Sequence, residues 1–153
     1  MLFTQYHYTS SNLRELMRMY LLKGDRILDA GTGSGILLEE AARISERKVY
    51  GYDIDPEAVE ASRRRVSNSD VYLADSIGKT PQRAYDAVLS NLDNNPALQL
   101  LQDVHPYLET NGYLIISLPV TVSDLFIESL GFGILNKIHG PEFNAYTLRK
   151  RRS

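Results

Sequence analysis

The hydrophobic positions of this chain change their period several times from one end to the other. Leu13, Leu16, Met17, Tyr20 and Leu21 recur at i, i+3, i+4, i+7 and i+8, the stripe of an amphipathic helix, with Ser10 or Ser11 as its N-cap and Lys23-Gly24 at its end. Short apolar runs at 26–30, 48–52, 71–74 and 85–90 read as strands. Between the first two lies an alanine- and leucine-rich helix over 36–47. After the second, Asp55-Pro56-Glu57 opens a charged helix through Arg63-Arg64-Arg65, with Asp55 as cap and Pro56 at the first position. A helix is expected between the third and fourth strands as well. Pro96 opens another, whose buried face is Ala97, Leu100, Leu101, Val104 and Leu108. Asn111-Gly112 then turns the chain into a fifth strand over 113–117. Val122, Leu125, Phe126 and Leu130 mark a last helix, followed by strands at 131–137 and 143–149 joined by His139-Gly140-Pro141.

Strands that alternate with helices imply a parallel sheet covered on both faces, because a parallel connection crosses over through a helix. The link at 139–141 is too short for a crossover and requires an antiparallel pair. The pattern predicts an α/β, Rossmann-like doubly wound sheet, mostly parallel, with an antiparallel strand in the C-terminal hairpin and helices on both faces. The 153 residues suit one domain over 1–153, with 1–12 a candidate mobile N-terminal segment. Composition narrows the chemistry. With no Cys there is no thiol nucleophile, disulfide or Cys-ligated metal, and no His pair has metal-ligand spacing, so no metal site is expected. A net charge of -2 gives no global basic field. No signal-peptide pattern and no run long enough for a membrane span are present, and a cytoplasmic location without membrane partners is the expectation.

Asp29-Ala30-Gly31-Thr32-Gly33-Ser34-Gly35 stands between the first strand and its helix, at the strand's carboxyl end, where open α/β sheets bind ligands. Glycines there let the backbone turn tightly and approach a ligand, while the N-terminus of the next helix favours an anionic group. Asp53 ends the second strand about twenty residues on, where a carboxylate accepts from both hydroxyls of a ribose. Together they point to a nucleoside-containing ligand. A dinucleotide fingerprint would need a small residue where Ile36 stands, which disfavours NAD. A phosphate-binding loop ending in Gly78-Lys79-Thr80 would have to begin with Gly, and Leu73 is there.

The glycine loop, Gly51-Tyr52-Asp53-Ile54-Asp55, Leu73-Ala74-Asp75 and Ser90-Asn91 together resemble the class I S-adenosylmethionine-dependent methyltransferases. Within them, the stretches 27–37, 52–58 and 112–115 are most similar to the catalytic domain of bacterial ribosomal-protein methyltransferases. The resemblance implies a seven-stranded sheet, S-adenosyl-L-methionine as cofactor, and methyl transfer to a nitrogen of a ribosomal-protein-like protein substrate. It also implies a set of roles. Gly31, Gly33 and Gly35 line the methionine part of the cofactor and Asp29 lies near its amino group. Asp53 holds the ribose, Ile54 packs on the adenine and Asp75 accepts from its exocyclic amine. Thr32 and Ser76 complete the cofactor set. Asn91 lies beside the transferred methyl, and Asp93 is a candidate proton acceptor unless Asp93, Asn94 and Asn95 only cap the helix at Pro96.

The chain departs from that family in three places. The family's separate N-terminal substrate-recognition domain is not expected within these 153 residues. The entry segment before the first helix, Gln5-Tyr6-His7-Tyr8-Thr9-Ser10, keeps a His and a Thr without the glycines. Leu92-Asp93-Asn94-Asn95 is more polar than usual. RNA or a small molecule therefore stays open as acceptor, as does a catalytically silent binding subunit, and the oligomeric state is not legible. Tyr6, His7 and Tyr8 either close over the cofactor or belong to a frayed terminus. His105 and His139 read as surface or turn residues. The basic runs 63–65 and 149–152 are solvated faces or contacts to RNA phosphates.

Overall fold

A computed structural model describes residues 7–151. In chain order the elements are α1 (His7–Tyr20), β1 (Ile27–Ala30), α2 (Ile36–Ser45), β2 (Val49–Asp53), α3 (Pro56–Arg65), β3 (Ser69–Leu73), β4 (Tyr85–Ser90), α4 (Asn94–Asp103), β5 (Leu108–Pro119), α5 (Asp124–Ser129), β6 (Phe132–Ile138) and β7 (Phe143–Lys150). The strands form one seven-stranded sheet in the order β3-β2-β1-β4-β5-β7-β6. The first five pair parallel, and β7 lies antiparallel between β5 and β6.

Side-chain alternation along the strands divides the core in two. Ile27, Val49, Ala87, Leu89 and Ile115 face α1, α2 and α3, where Leu16, Met17, Leu38 and Val59 cover them. Leu28, Ala30, Val88, Leu114 and Ile116 face the other way, under Ala97, Leu100 and Leu101 of α4 and Ile127 of α5. Connections leave β1 toward β2 and β3 on one side and β4 toward β5 on the other. The crevice outside the carboxyl ends of β1 and β4 is therefore the topological switch point.

Several elements differ from their expected form. α1 begins at His7, so Ser10 and Ser11 lie inside it and residues 7–12 of the candidate mobile segment are helical. The extension is tertiary: Thr9 is buried, and the Tyr8 hydroxyl is anchored to the C-terminal hairpin. No full helix joins β3 to β4. Only a three-residue 3-10 turn, Ile77–Lys79, is present, closed by Thr80 Oγ1 donating to the Ile77 carbonyl and followed by Pro81. Arg83 stacks its guanidinium 4.6 Å from the centre of the Tyr50 ring, and Tyr50 meets Tyr85 edge-on, so aromatic side chains line this part of the face. The expected turn at Asn111-Gly112 survives as an irregularity inside β5, with Asn111 at φ 64° and a register shift against β4.

Candidate functional site

β1 ends in the tight turn that the glycines allow. Gly31, Gly33 and Gly35 have φ of 76°, 53° and 90°, and the Gly31 and Thr32 amides both donate to the Tyr52 carbonyl of β2. Gly51, one strand over, is part of the same construction: a Cβ there would run into Thr32 Cγ2 and come 3.2 Å from the Asp29 carbonyl. Gly51 opens the motif that carries the family resemblance without a role of its own there, although a lone Gly in an aromatic strand signals close backbone approach.

Asp53 closes the turn from the other side. Its Oδ2 accepts from the Gly33 amide and its Oδ1 from the Asp55 amide, each at 2.9 Å. Two amides fix this carboxylate at the mouth of the crevice, and each oxygen keeps a lone pair for a further donor. Beside it Ile54 is 52% exposed, an apolar side chain held in solvent at the crevice edge. Asp55 caps α3 by accepting from the Glu57 amide, as its sequence predicts.

Asp29 is the unusual group. It is 1% exposed, and neither of its carboxylate oxygens has a hydrogen-bond partner among the described residues. Burial, reinforced by the nearby Asp53 charge, pushes its pKa well above the ordinary carboxylate value. Thr32 Oγ1, Ser90 Oγ and Asn91 Oδ1 are also buried and unpartnered. Buried polar atoms are normally satisfied, and exceptions such as Tyr85 Oη, Ser117 Oγ and Thr147 Oγ1 lie elsewhere in the fold. Asp29, Thr32, Ser90 and Asn91 stand together at the carboxyl ends of β1 and β4, where a ligand would meet them. The set suits a group that brings an ammonium and hydroxyl donors, because carboxylate and amide oxygens supply only acceptors.

The ends of β3 and β4 open two spaces that share Asn95 and Pro96. Asp75 and Ser76 line a cavity of about 300 Å³ with Tyr52, Ile77, Leu92 and Pro96. Lys79 Nζ, 3.0 Å from Asp75 Oδ2, holds that carboxyl below its usual pKa. Asp93 faces a second cleft of about 540 Å³, between Asn94-Asn95-Pro96 and the hairpin residues Pro141, Glu142 and Phe143. α4 begins at Asn94, not at Pro96, and Asp93 occupies its N-cap position without a side-chain cap bond. The carboxylate is thus not spent on capping, and desolvation raises its pKa. Leu92 lies on the first cavity and Asp93 on the second.

Other candidates lie outside the crevice. Tyr6 and the His7 side chain fall outside the described residues, and the Tyr8 hydroxyl accepts from the Glu142 and Phe143 amides. His105 packs edge-on against Phe132, and His139 is an exposed turn residue. Within the basic runs, Arg63 donates to the Val71 carbonyl, Arg65 to the Ser34 carbonyl, Arg149 to the Tyr113 hydroxyl and Lys150 to the Leu108 carbonyl. Those cations brace the fold. Among the described residues no helix is long and apolar enough to cross a membrane, and no three acidic or His side chains gather to hold a metal ion.

Residues 4–118 match the family described as ribosomal protein L11 methyltransferase (PrmA). A ribosomal protein L11 methyltransferase of Dictyoglomus turgidum is 34% identical over 140 residues, which cover 84% of this chain and 46% of that protein. The chain therefore spans less than half the length of such relatives. A crystal structure of a ribosomal protein L11 methylase from Lactobacillus delbrueckii subsp. bulgaricus superposes with a TM-score of 0.86 at 19% identity, covering 99% of this chain and 82% of that one. A Burkholderia thailandensis 1,6-didemethyltoxoflavin-N1-methyltransferase, solved with 1,6-didemethyltoxoflavin and S-adenosylhomocysteine bound, superposes with a TM-score of 0.74 at 16% identity over 94% of this chain and 79% of that one. At these identities the two structures share its fold.

Proposed function

The chain belongs to the ribosomal protein L11 methyltransferase family, and from that premise we propose that it transfers a methyl group from S-adenosyl-L-methionine to a nitrogen of a protein substrate, with a ribosomal protein as the first candidate. The observation that carries the cofactor reading is the pair of unpartnered Asp29 oxygens beneath the glycine turn. Asp29 would accept from the cofactor's ammonium, which satisfies the buried charge that the fold leaves open. Gly31, Thr32, Gly33 and Gly35 would leave room for its methionine part, and Asp53 would accept from the ribose hydroxyls with the lone pairs its two amides do not use. Ile54 would cover one face of the adenine, with Asp75 and Ser76 at its edge.

When bound, S-adenosylmethionine supplies a methyl group already activated on a sulfonium. The chain's own task is then mainly orientation, which can lower a barrier by about 7 to 11 kcal/mol. Asn91 Oδ1, buried without a partner at the end of β4, would accept from the N–H of an incoming amine and so aim its lone pair. Asp93 would take the proton of an amine that arrives charged, a role helped by a pKa already raised by desolvation.

Protein is favoured over RNA by the charge of the cleft on which Asp93 stands. Among the described residues, Asp93 and Glu142 line it and no Lys or Arg does, a lining that favours an ammonium over a phosphate. Transfer of labelled methyl groups into fractionated lysate, with protease or nuclease pretreatment, tests the reading. Loss of label after protease alone is expected. Loss after nuclease alone would assign RNA, and label in the low-molecular-weight fraction a small molecule.

A further inference from the structure

We propose that Tyr8 is a positioning residue for the methyl acceptor: its hydroxyl sets the 140–143 turn, and with it Glu142, as one wall of the cleft opposite Asp93. The inference rests on the reading of that cleft as the acceptor site.

The Tyr8 side chain leaves the first turn of α1 and reaches the far end of the chain. Its hydroxyl oxygen accepts from the Phe143 amide at 2.9 Å and from the Glu142 amide at 3.1 Å. A hydroxyl oxygen has two lone pairs, and both are used on successive amides of one turn. The ring lies against Gly140, where a Cβ would come 2.6 Å from Tyr8 Cε2 and would also collide with the Phe143 carbonyl. Gly140 is thus required by close approach, and the aromatic ring fits only because nothing projects there.

The sheet ladder ends at this turn, where Phe143 pairs with Pro119, the last residue of β5. Beyond it, the Val120 amide donates to the Glu142 carbonyl, and the Gly140 amide donates to Asn144 Oδ1. Tyr8 supplies a further anchor from another element, α1, which packs on the sheet face opposite α4. Pro141, Glu142 and Phe143 then form the wall that faces Asp93, Asn94 and Asn95. The position of Glu142, and so the spacing of the two carboxylates that would bracket a cationic amine, depends on a hydroxyl 134 positions away in sequence.

Tyr8→Phe keeps the ring and deletes the anchor, and Gly140→Ala leaves the hydroxyl while displacing both the ring and the turn backbone at the Phe143 carbonyl. Methylation of purified bacterial ribosomal protein L11 by the chain gives KM and kcat, calorimetry gives S-adenosylhomocysteine affinity, and amide hydrogen exchange reads the turn. Tyr8→Phe is expected to raise KM for L11 at least fivefold, with kcat and S-adenosylhomocysteine affinity within twofold. It is also expected to speed exchange at Glu142 and Phe143 at least tenfold with Thr147 and Leu148 unchanged, and Gly140→Ala should move KM in the same direction. An active wild type whose KM is unchanged by Tyr8→Phe, or unchanged exchange at both amides, would overturn the inference and leave the proposed function standing. A wild type that labels L11 at no concentration would instead refute that substrate for the chain, and the inference with it.

Discussion

Two buried carboxylates occupy the same half of this molecule and are treated in opposite ways. Glu40 of α2 is 5% exposed, and its Oε1 accepts from Arg18 of α1 at 2.7 Å, with Arg43 3.6 Å from its Oε2. Asp29 is 1% exposed and has no hydrogen-bond partner among the described residues. Burying an ionised carboxylate costs several kcal/mol unless a counter-charge or hydrogen bonds offset it. Glu40 meets that requirement inside the fold and ties two helices together. Asp29 does not, and the neighbouring Asp53 makes its charged form less favourable still. An acid placed to hold the structure is paired by the structure, whereas one left unpaired at a switch point implies that its partner comes from outside the chain.

Substitutions at the two acids break or sharpen this contrast. The largest expected effect is on ligand affinity: Asp29→Asn and Asp53→Ala should each weaken binding of S-adenosylmethionine at least tenfold by calorimetry, since a charge-assisted hydrogen bond contributes about 1.5 to 3 kcal/mol. Glu40→Gln should leave that affinity within twofold. Next in size is turnover. Asn91→Ala should lower kcat by up to about 100-fold through misplacement of the acceptor, with cofactor affinity nearly unchanged. Unchanged turnover would remove Asn91 from the reaction.

Stability comes third, and there the two acids should differ in sign. Asp29→Asn removes a buried charge without a partner and should stabilise the ligand-free chain by about 1 to 3 kcal/mol in thermal unfolding at pH 8. Glu40→Gln weakens an ion pair whose Arg18 side is exposed, and should destabilise by only about 0.5 to 1.5 kcal/mol. The smallest effect is the pH dependence. The folded chain holds the Asp29 proton more tightly than the unfolded chain does. The contribution of this group to stability therefore falls as pH rises from the unfolded value of 3.8 toward the raised one. Asp29→Asn should flatten that part of the profile, and an unaltered slope would show that Asp29 is not the group responsible.

The parts of the molecule legible in the sequence are those whose signals are local. The buried strands β1, β2 and β4 are short apolar runs, the Asp55-Pro56 start of α3 is a backbone requirement, and the Asp29–Gly35 turn is written in glycines. What was not legible depends on residues far apart in the chain. The first turn of α1 is helical because Tyr8 is anchored to a hairpin near the other end, which no propensity at Ser10 or Ser11 encodes. The stretch 75–84 was expected to hold a helix and carries one 3-10 turn, because Gly78 and Pro81 interrupt it and tyrosines with Arg83 line that face instead. In the candidate site, residue types and strand ends were readable from spacing. Which oxygens are satisfied was not: Asp53 is held by two amides, and Asp29, on the neighbouring strand, by none among the described residues.

The most direct test of the unpaired-acid account is calorimetric titration of the chain with S-adenosylhomocysteine in buffers of different ionisation enthalpy, near the pH where Asp29 titrates. The ligand's ammonium should draw Asp29 into its charged form, so that binding releases a proton in the wild type and releases none in Asp29→Asn. Binding of equal strength in both proteins, with no proton released by either, would contradict the account.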